Sequence, residues 1–366
     1  MTHEAVSDDL LMPGLAAHDV EVEGVSKATP AIFQRSSAPR QARGRRIYAA
    51  IDLGTNNCRM LLARPASSGF VIVDAFSRVV RLGEAMMMSG RIAEGAQDRA
   101  IDALAACAEK LNRRNISVVR SVATEACRRA ANGSEFVDRV YRETGIALDV
   151  ISPAEEARLA VMGCQSLLDL GEGVALVFDI GGGSTELVLV SADAAGRPQI
   201  LQWASVPWGV VSLAETEPAD GSDIAARRHN YTRMYERVAD AIRTAAAPMV
   251  ENAGTVRQLL GTSGTVTTLA SLYLQLPHYD RRKVDGCIVP ADAMRAISED
   301  LALKSIAERR ELACIGTERA DLVVAGCAIL EAILDMWPAD RLRVADRGIR
   351  EGILRELMGR DGHLIQ

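Results

Sequence analysis

Two short stretches with one grammar, 127 residues apart, constrain this chain more than anything else in it. The later one, residues 174–190, runs from an apolar segment into Asp179, passes Gly181, Gly182, Gly183, Ser184, Thr185 and Glu186, and enters a second apolar segment at once. In a P-loop or a Rossmann fingerprint a helix follows the glycines; the β-branched residues here predict strand, tight turn, strand. Three successive glycines permit positive φ and let backbone N–H groups converge on an anion without Cβ interference. Asp179 sits where a hard cation such as Mg²⁺ can bridge to that anion. Taken alone, the stretch also fits an ordinary hairpin turn. Residues 47–62 repeat the pattern, with Asp52, Gly54, Thr55, Asn56 and Asn57 between two apolar runs. An interval of about one domain predicts a duplicated α/β fold with a cleft between its halves.

The length of 366 residues agrees with two cores rather than one. A net charge of −6 and an aromatic content of 4% exclude a general nucleic-acid binder. No apolar run reaches the roughly 20 residues of a membrane span. The seven cysteines contain no C-x-x-C pair and the five histidines are dispersed, which excludes a zinc site and a disulfide framework and points to a reducing cytoplasm. Residues 1–45 pass from acidic to basic with Pro, Ser and Ala between, lack a secretory signal, and are expected to form a disordered tail.

Along the chain, apolar spacing predicts strands at 69–81, 117–124, 148–151, 199–208, 255–260 and 341–345. Helices are predicted at 93–115, 134–144 (capped by Ser134), 223–251, 266–274, 290–300, 304–314, 318–337 and 349–357. The Met86–Met88 triplet reads as core filler or a loop edge. At 152–158 a Ser at the cap, a Pro at the first helical position and Glu155 and Glu156 in the first turn mark a helix start. Compensation of the helix dipole, about 0.3–1 kcal/mol, accounts for both glutamates on spacing alone. The turn Gly261, Thr262, Ser263, Gly264 opens a helix, so its free N–H groups predict a second anion site.

Together, Asp52-Leu-Gly-Thr-Asn-Asn57, Glu155-Glu156-Ala-Arg158, Asp179-Ile-Gly-Gly-Gly-Ser-Thr-Glu186 and Gly261-Thr-Ser-Gly264 resemble the exopolyphosphatase / guanosine pentaphosphate phosphohydrolase (Ppx/GppA) family, in its short two-domain form. The resemblance covers about residues 46–360. It implies two ribonuclease-H-like domains of the actin/Hsp70/sugar kinase superfamily, with the active site in the cleft between them. The expected division is 46–152 plus 350–366 for the first domain and 153–349 for the second. By resemblance, Glu156 is the carboxylate that deprotonates the attacking water. Asp52, Asp179 and Glu186 hold Mg²⁺ (or Mn²⁺), the last two also counting as catalytic. Gly54, Thr55, Asn56, Asn57, Arg128, Gly181, Gly182, Gly183, Ser184, Thr185, Gly261, Thr262, Ser263 and Gly264 bind the phosphates. Arg128 reads equally well as a surface helix charge.

The implied activity is hydrolysis of the terminal phosphoanhydride of inorganic polyphosphate or guanosine pentaphosphate. Two departures stand out: the first loop has Asn57 where the family more often has a second hydroxyl, and the chain stops where longer relatives continue into an all-helical HD-like domain. The latter leads to an expected preference for short chains. No nucleic-acid or membrane partner is expected, and relatives of this kind are often homodimers. Two alternatives stay open: a phosphotransferase of the same superfamily, and a non-catalytic nucleotide-sensing or actin-like assembly protein.

Overall fold

In a computed structural model, the described residues are 33–34 and 46–363, apart from 68, 115, 117, 172, 253 and 254. They form two sheets built on one plan. The first sheet contains β1 (Phe33–Gln34), β2 (Tyr48–Leu53), β3 (Asn57–Ala66), β4 (Gly69–Val79), β5 (Val118–Ala123) and β6 (Asp149–Val150). The second contains β7 (Val174–Ile180), β8 (Thr185–Ala192), β9 (Pro198–Val206), β10 (Val256–Thr262), β11 (Ile288–Pro290) and β12 (Arg341–Ala345). In each, the opening strand pairs antiparallel with the second, and the second with the third (β2-β3-β4 and β7-β8-β9). Each opening strand is flanked on its other side by a parallel strand, and that strand by a further parallel one (β5 then β6, β10 then β12). This is the ribonuclease-H-like strand order, present twice.

The central strands are apolar on both faces because helices cover both faces. One face of the first sheet packs on helices Glu94–Arg113 and Gly133–Thr144 through Leu104, Phe136 and Val140. One face of the second packs on Ile224–Asn252, Ser263–Tyr273, Ala291–Leu303 and Val323–Met336. Helix Pro153–Cys164 serves both halves: Leu159 enters the core beneath the first sheet, while Ala157, Val161 and Cys164 enter the core beneath the second. Helix Ile349–Arg360 joins it, contributing Ile353, Leu354 and Leu357 to the first sheet's core. We propose the domain division 46–152 plus 350–366 and 153–349 on this basis, with helix Pro153–Cys164 as the shared element. Among the described residues no helix is long and apolar enough to cross a membrane.

These two helices cross so closely that glycines are required. A Cβ on Gly352 would fall on the Leu159 carbonyl, and one on Gly163 on the Gly348 carbonyl. Gly352→Ala should therefore destabilise the protein by about 1–3 kcal/mol, the usual cost of overpacking. Gly359, in the same helix with nothing within 4 Å, is the control. Its change to Ala should be neutral or stabilising by up to ~1 kcal/mol. Denaturant titration of the two variants separates crowding from helix propensity, and equal effects would contradict it.

Several boundaries differ from expectation for identifiable reasons. The helix expected to start from a Ser134 cap begins at Gly133, and its cap residue Asn132 makes no capping bond. The Asn132 amide is committed elsewhere, accepting from the Ile92 N–H at 2.8 Å and donating to the Ile92 carbonyl at 2.9 Å. The helix expected at 304–314 is only Ile306–Arg310, opened by a Ser305/Glu308 capping box. The fully buried Arg309 turns its guanidinium onto the Lys304 and Ala320 carbonyls, stapling the irregular chain that follows. The methionine triplet is a short helix, Met86–Ser89, with Met88 on the surface rather than in the core. Of the span expected to be disordered, Phe33–Gln34 pair antiparallel with β5 at Val118 and Val119; its other residues up to 45 lie outside the described residues.

Candidate active site

The two hairpin turns close with the same bond. The Gly54 N–H donates to the Asn57 carbonyl at 2.9 Å, and the Gly181 N–H to the Ser184 carbonyl at 3.0 Å. Both turns face a cleft of about 740 Å³ between the sheets. The glycines act differently from the expectation of positive φ: among Gly54, Gly181, Gly182 and Gly183 none has it. What they permit is close approach. A Cβ on Gly182 would lie 2.9 Å from Thr55 Cβ and 3.1 Å from the Asn56 N, and one on Gly183 2.8 Å from Thr55 Oγ1. The triple glycine lets one turn nest against the other.

Of the residues singled out from the sequence, Asp52, Gly54, Thr55, Asn56, Asn57, Glu156, Asp179, Gly181, Gly182, Gly183, Ser184, Thr262 and Ser263 line this cleft. Gly264 lines an adjoining space of about 500 Å³ that shares Asn56, Asn57, Gly181, Gly182 and Ser263. The remaining four do not line either space. Gly261 packs against Phe178 and Val266. Thr185 is buried and donates to the Trp208 carbonyl at 2.8 Å. Glu186 is buried behind the turn, accepting from the Ser184 hydroxyl at 2.6 Å and the Ser205 hydroxyl at 3.1 Å. Arg128 is not a surface charge: it is half-buried beside the cleft, held by two of the carboxylates that line it. Its guanidinium reaches Glu156 Oε2 at 3.2 Å, Glu125 Oε2 at 2.6 Å and the Ile151 carbonyl at 2.6 Å.

Residues outside the sequence-derived set complete the walls. Arg59 comes from β3, Thr124 and Glu125 follow β5, and Asp346, Arg347, Gly348, Ile349 and Arg350 follow β12. Arg59 stands opposite Asp52 across the β2/β3 ladder, as Glu186 stands opposite Asp179 across β7/β8. Cross-strand partners share a sheet face, so the first hairpin carries an acid with a base and the second an acid with an acid. Ser263, where the chain enters its helix, holds φ +84°, a strained value for a residue with a Cβ, and lies beside Asp179, whose carboxyl it helps keep charged. The Arg347 carbonyl accepts from Thr262 Oγ1 and from Cys164 Sγ, which fixes the chain just before the helix that carries Arg350.

The electrostatics follow from crowding carboxylates away from water. Burial, then the neighbouring Asp52, pushes Asp179 up to about 6. Burial and the Asp179 charge push Glu186 up to about 7. Glu156 is held well above the usual carboxylate range by burial and by Glu186, with Arg128 opposing. Asp52 is raised by burial against the pull of Arg59 and Arg350. Such a cluster, facing a cleft floored by glycine turns, suits a polyanion brought in with a cation. The lining near Asp52 and Asp179 is oxygen-rich and free of His and Cys. Asn56 adds a buried Oδ1 with no hydrogen-bond partner among the described residues. Among the described residues no three His, Cys, Asp or Glu side chains form a ready-made cage. The oxygen donors of Asp52, Asp179 and Asn56 fit Mg²⁺ or Mn²⁺, which needs one or two carboxylates and completes its shell with water and phosphate oxygens.

Comparison with known proteins agrees with this geometry. The profile described as the Ppx/GppA phosphatase family matches residues 61–361. Exopolyphosphatase 2 of Mycobacterium tuberculosis is 30% identical over 328 residues, covering 85% of this chain and 98% of that protein. The guanosine-5'-triphosphate,3'-diphosphate pyrophosphatase of Aeromonas hydrophila is 29% identical over 320 residues, 86% of this chain but only 60% of that protein's length. The crystal structure of the Aquifex aeolicus Ppx/GppA family member superposes with a TM-score of 0.71 at 29% identity, covering 87% of this chain and 99% of that one.

Proposed function

The chain belongs to the Ppx/GppA phosphatase family, and from that premise we propose that it hydrolyses the terminal phosphoanhydride of short inorganic polyphosphate or of guanosine pentaphosphate, releasing orthophosphate. The observation that carries this reading is Glu156: a carboxylate with raised proton affinity on the wall of a cleft floored by two glycine turns. Asp52 and Asp179 would hold Mg²⁺ or Mn²⁺, which supplies charge neutralisation to the phosphoryl group when bound. The turns at Gly54–Asn57 and Gly181–Ser184 seat the terminal phosphates, with Arg59 and Arg350 adding positive charge from the flanks. Glu156, its Oε2 fixed by Arg128, orients the attacking water and takes its proton. Its raised affinity makes it a better base near neutral pH. Glu186, behind Ser184, holds that hydroxyl in place and keeps Glu156 proton-hungry. The protein acts in a reducing cytoplasm, where its seven cysteines, all free thiols, stay reduced.

Orthophosphate release from short polyphosphate, long polyphosphate and guanosine pentaphosphate, compared side by side, tests the reading. Release should be faster from the short substrates; release from none would refute it. Excess EDTA should abolish activity, Mg²⁺ or Mn²⁺ should restore it, and Zn²⁺ should not. Full activity in EDTA would remove the cation from the account.

A further inference from the structure

Glu155 and Glu156 are neighbours in the first turn of one helix, so their side chains leave it about 100° apart. They meet opposite surroundings. Glu156 faces the cleft and Arg128, whereas Glu155 joins a network of side chains away from it. Arg120 of β5, only 3% exposed, is the centre of that network. It donates to Glu155 Oε1 at 2.9 Å, to Glu356 Oε2 at 2.6 Å and to Asp149 Oδ2 at 3.2 Å. Arg158 bridges the same two glutamates, reaching Glu155 Oε2 at 2.7 Å and Glu356 Oε1 at 3.1 Å. Three separate elements meet there: the first sheet through Arg120 and Asp149, helix Pro153–Cys164 through Glu155 and Arg158, and helix Ile349–Arg360 through Glu356.

We infer that Arg120 is a positioning residue for Glu156: by clamping Glu155 to the first sheet and the last helix, it holds rigid the first turn of helix Pro153–Cys164, from which Glu156 enters the cleft. This rests on the reading of Glu156 as the group that activates water. The cap alone fixes little of the first turn, since Ser152 accepts one 3.2 Å bond from the Glu155 N–H, and Ala157, Leu159, Val161 and Cys164 pack the body of the helix into the two cores without holding the side chains of that turn. Arg128 alone also falls short, because it grips Glu156 through one oxygen and divides its donors with Glu125 and the Ile151 carbonyl. A buried guanidinium held by three carboxylates is a stiff anchor, since its own charge would be left uncompensated away from water if the network came apart. In the motif Glu-Glu-Ala-Arg, the first Glu and the Arg thus fix the frame and the second Glu works from it.

The test is a double-mutant cycle. Arg120→Met in the otherwise native chain should lower kcat about 10-fold with KM changed less than 2-fold, and Arg120→Lys should recover part of the loss. In a Glu156→Gln background, Arg120→Met should change kcat less than 2-fold, because the residue it positions no longer acts. An equal loss in both backgrounds, or none in the native chain, overturns the inference. Amide hydrogen exchange gives a second readout that needs no activity. Residues 155–158 should exchange about 10-fold faster in Arg120→Met while 181–184 stay unchanged; no change at 155–158 overturns it. If Arg120→Met fails to fold, Glu356→Gln, which weakens the far side of the clamp without touching the cleft, is put through the same cycle. A native chain that releases no orthophosphate refutes the hydrolase reading instead, and the exchange result still decides the inference.

Discussion

Glu156→Gln lowers turnover by ~10²-fold or more, the lower bound for losing a general base, while KM and thermal stability stay close to native. The amide keeps the volume and one acceptor for Arg128, so the first turn of helix Pro153–Cys164 retains its contacts. It cannot take a proton from water. Stability should not suffer, because Glu156 is charged in the folded state only against burial and the repulsion of Glu186. Steady-state kinetics with melting curves of both proteins check this. Near-native turnover would return Glu156 to the dipole-compensating role that its position in the first turn also permits.

Asp179→Asn has opposite effects on activity and stability. Activity falls by ~10²–10³-fold, the range for losing one preorganised electrostatic partner of the transition state. The metal-free protein becomes more stable at neutral pH. The sign follows from linkage: Asp179 titrates at about 6 in the folded chain, above its value of 3.8 in the unfolded one. Its contribution is therefore full below pH ~4 and is lost as pH rises through about 6, by on the order of 3 kcal/mol. Glu186, raised to about 7, loses stability over an overlapping window. The native protein without metal should thus melt at progressively lower temperature from pH 4 to pH 7.5, and Asp179→Asn less steeply. Mg²⁺ should raise the native melting temperature at pH 7.5 and leave that of the variant unmoved. A native melting temperature that rises over that pH range would contradict the assignment.

Much of this was legible because duplication imposes a repeated local grammar. Asp52 and Asp179 end equivalent strands, β2 and β7, and the turns after them close with equivalent bonds. The helix start at Ser152 and Pro153 was readable from cap chemistry alone. Arg59 and Arg350 were not, for different reasons. Arg59 owes its place opposite Asp52 to strand register, which a run of apolar residues does not disclose. Arg350 sits at the start of the helix that follows β12, as Glu156 follows β6. Carrying the duplication through to the last helix would have brought it to the cleft, a signal present but unused. Arg128 resisted because a guanidinium near a cleft serves substrate or carboxylate equally well on composition; only its contacts with Glu125, Glu156 and the Ile151 carbonyl show which partner it has here. The triple glycine was legible, but positive φ is not what it supplies: crowding by Thr55 and Asn56, which leaves no room for a Cβ, requires it.

The central claim is that water in this cleft is the acceptor of the terminal phosphoryl group. Hydrolysis of short polyphosphate and of guanosine pentaphosphate in ¹⁸O-labelled water, with mass spectrometry of the products, measures that directly. The account predicts orthophosphate carrying one labelled oxygen, a remaining chain one phosphate shorter and unlabelled, and loss of both products in Glu156→Gln. Phosphate appearing on an added nucleotide or other acceptor in place of orthophosphate would make the chain a phosphotransferase, and unlabelled orthophosphate with the label on the shortened chain would place the attack on the penultimate phosphorus; either result contradicts the account.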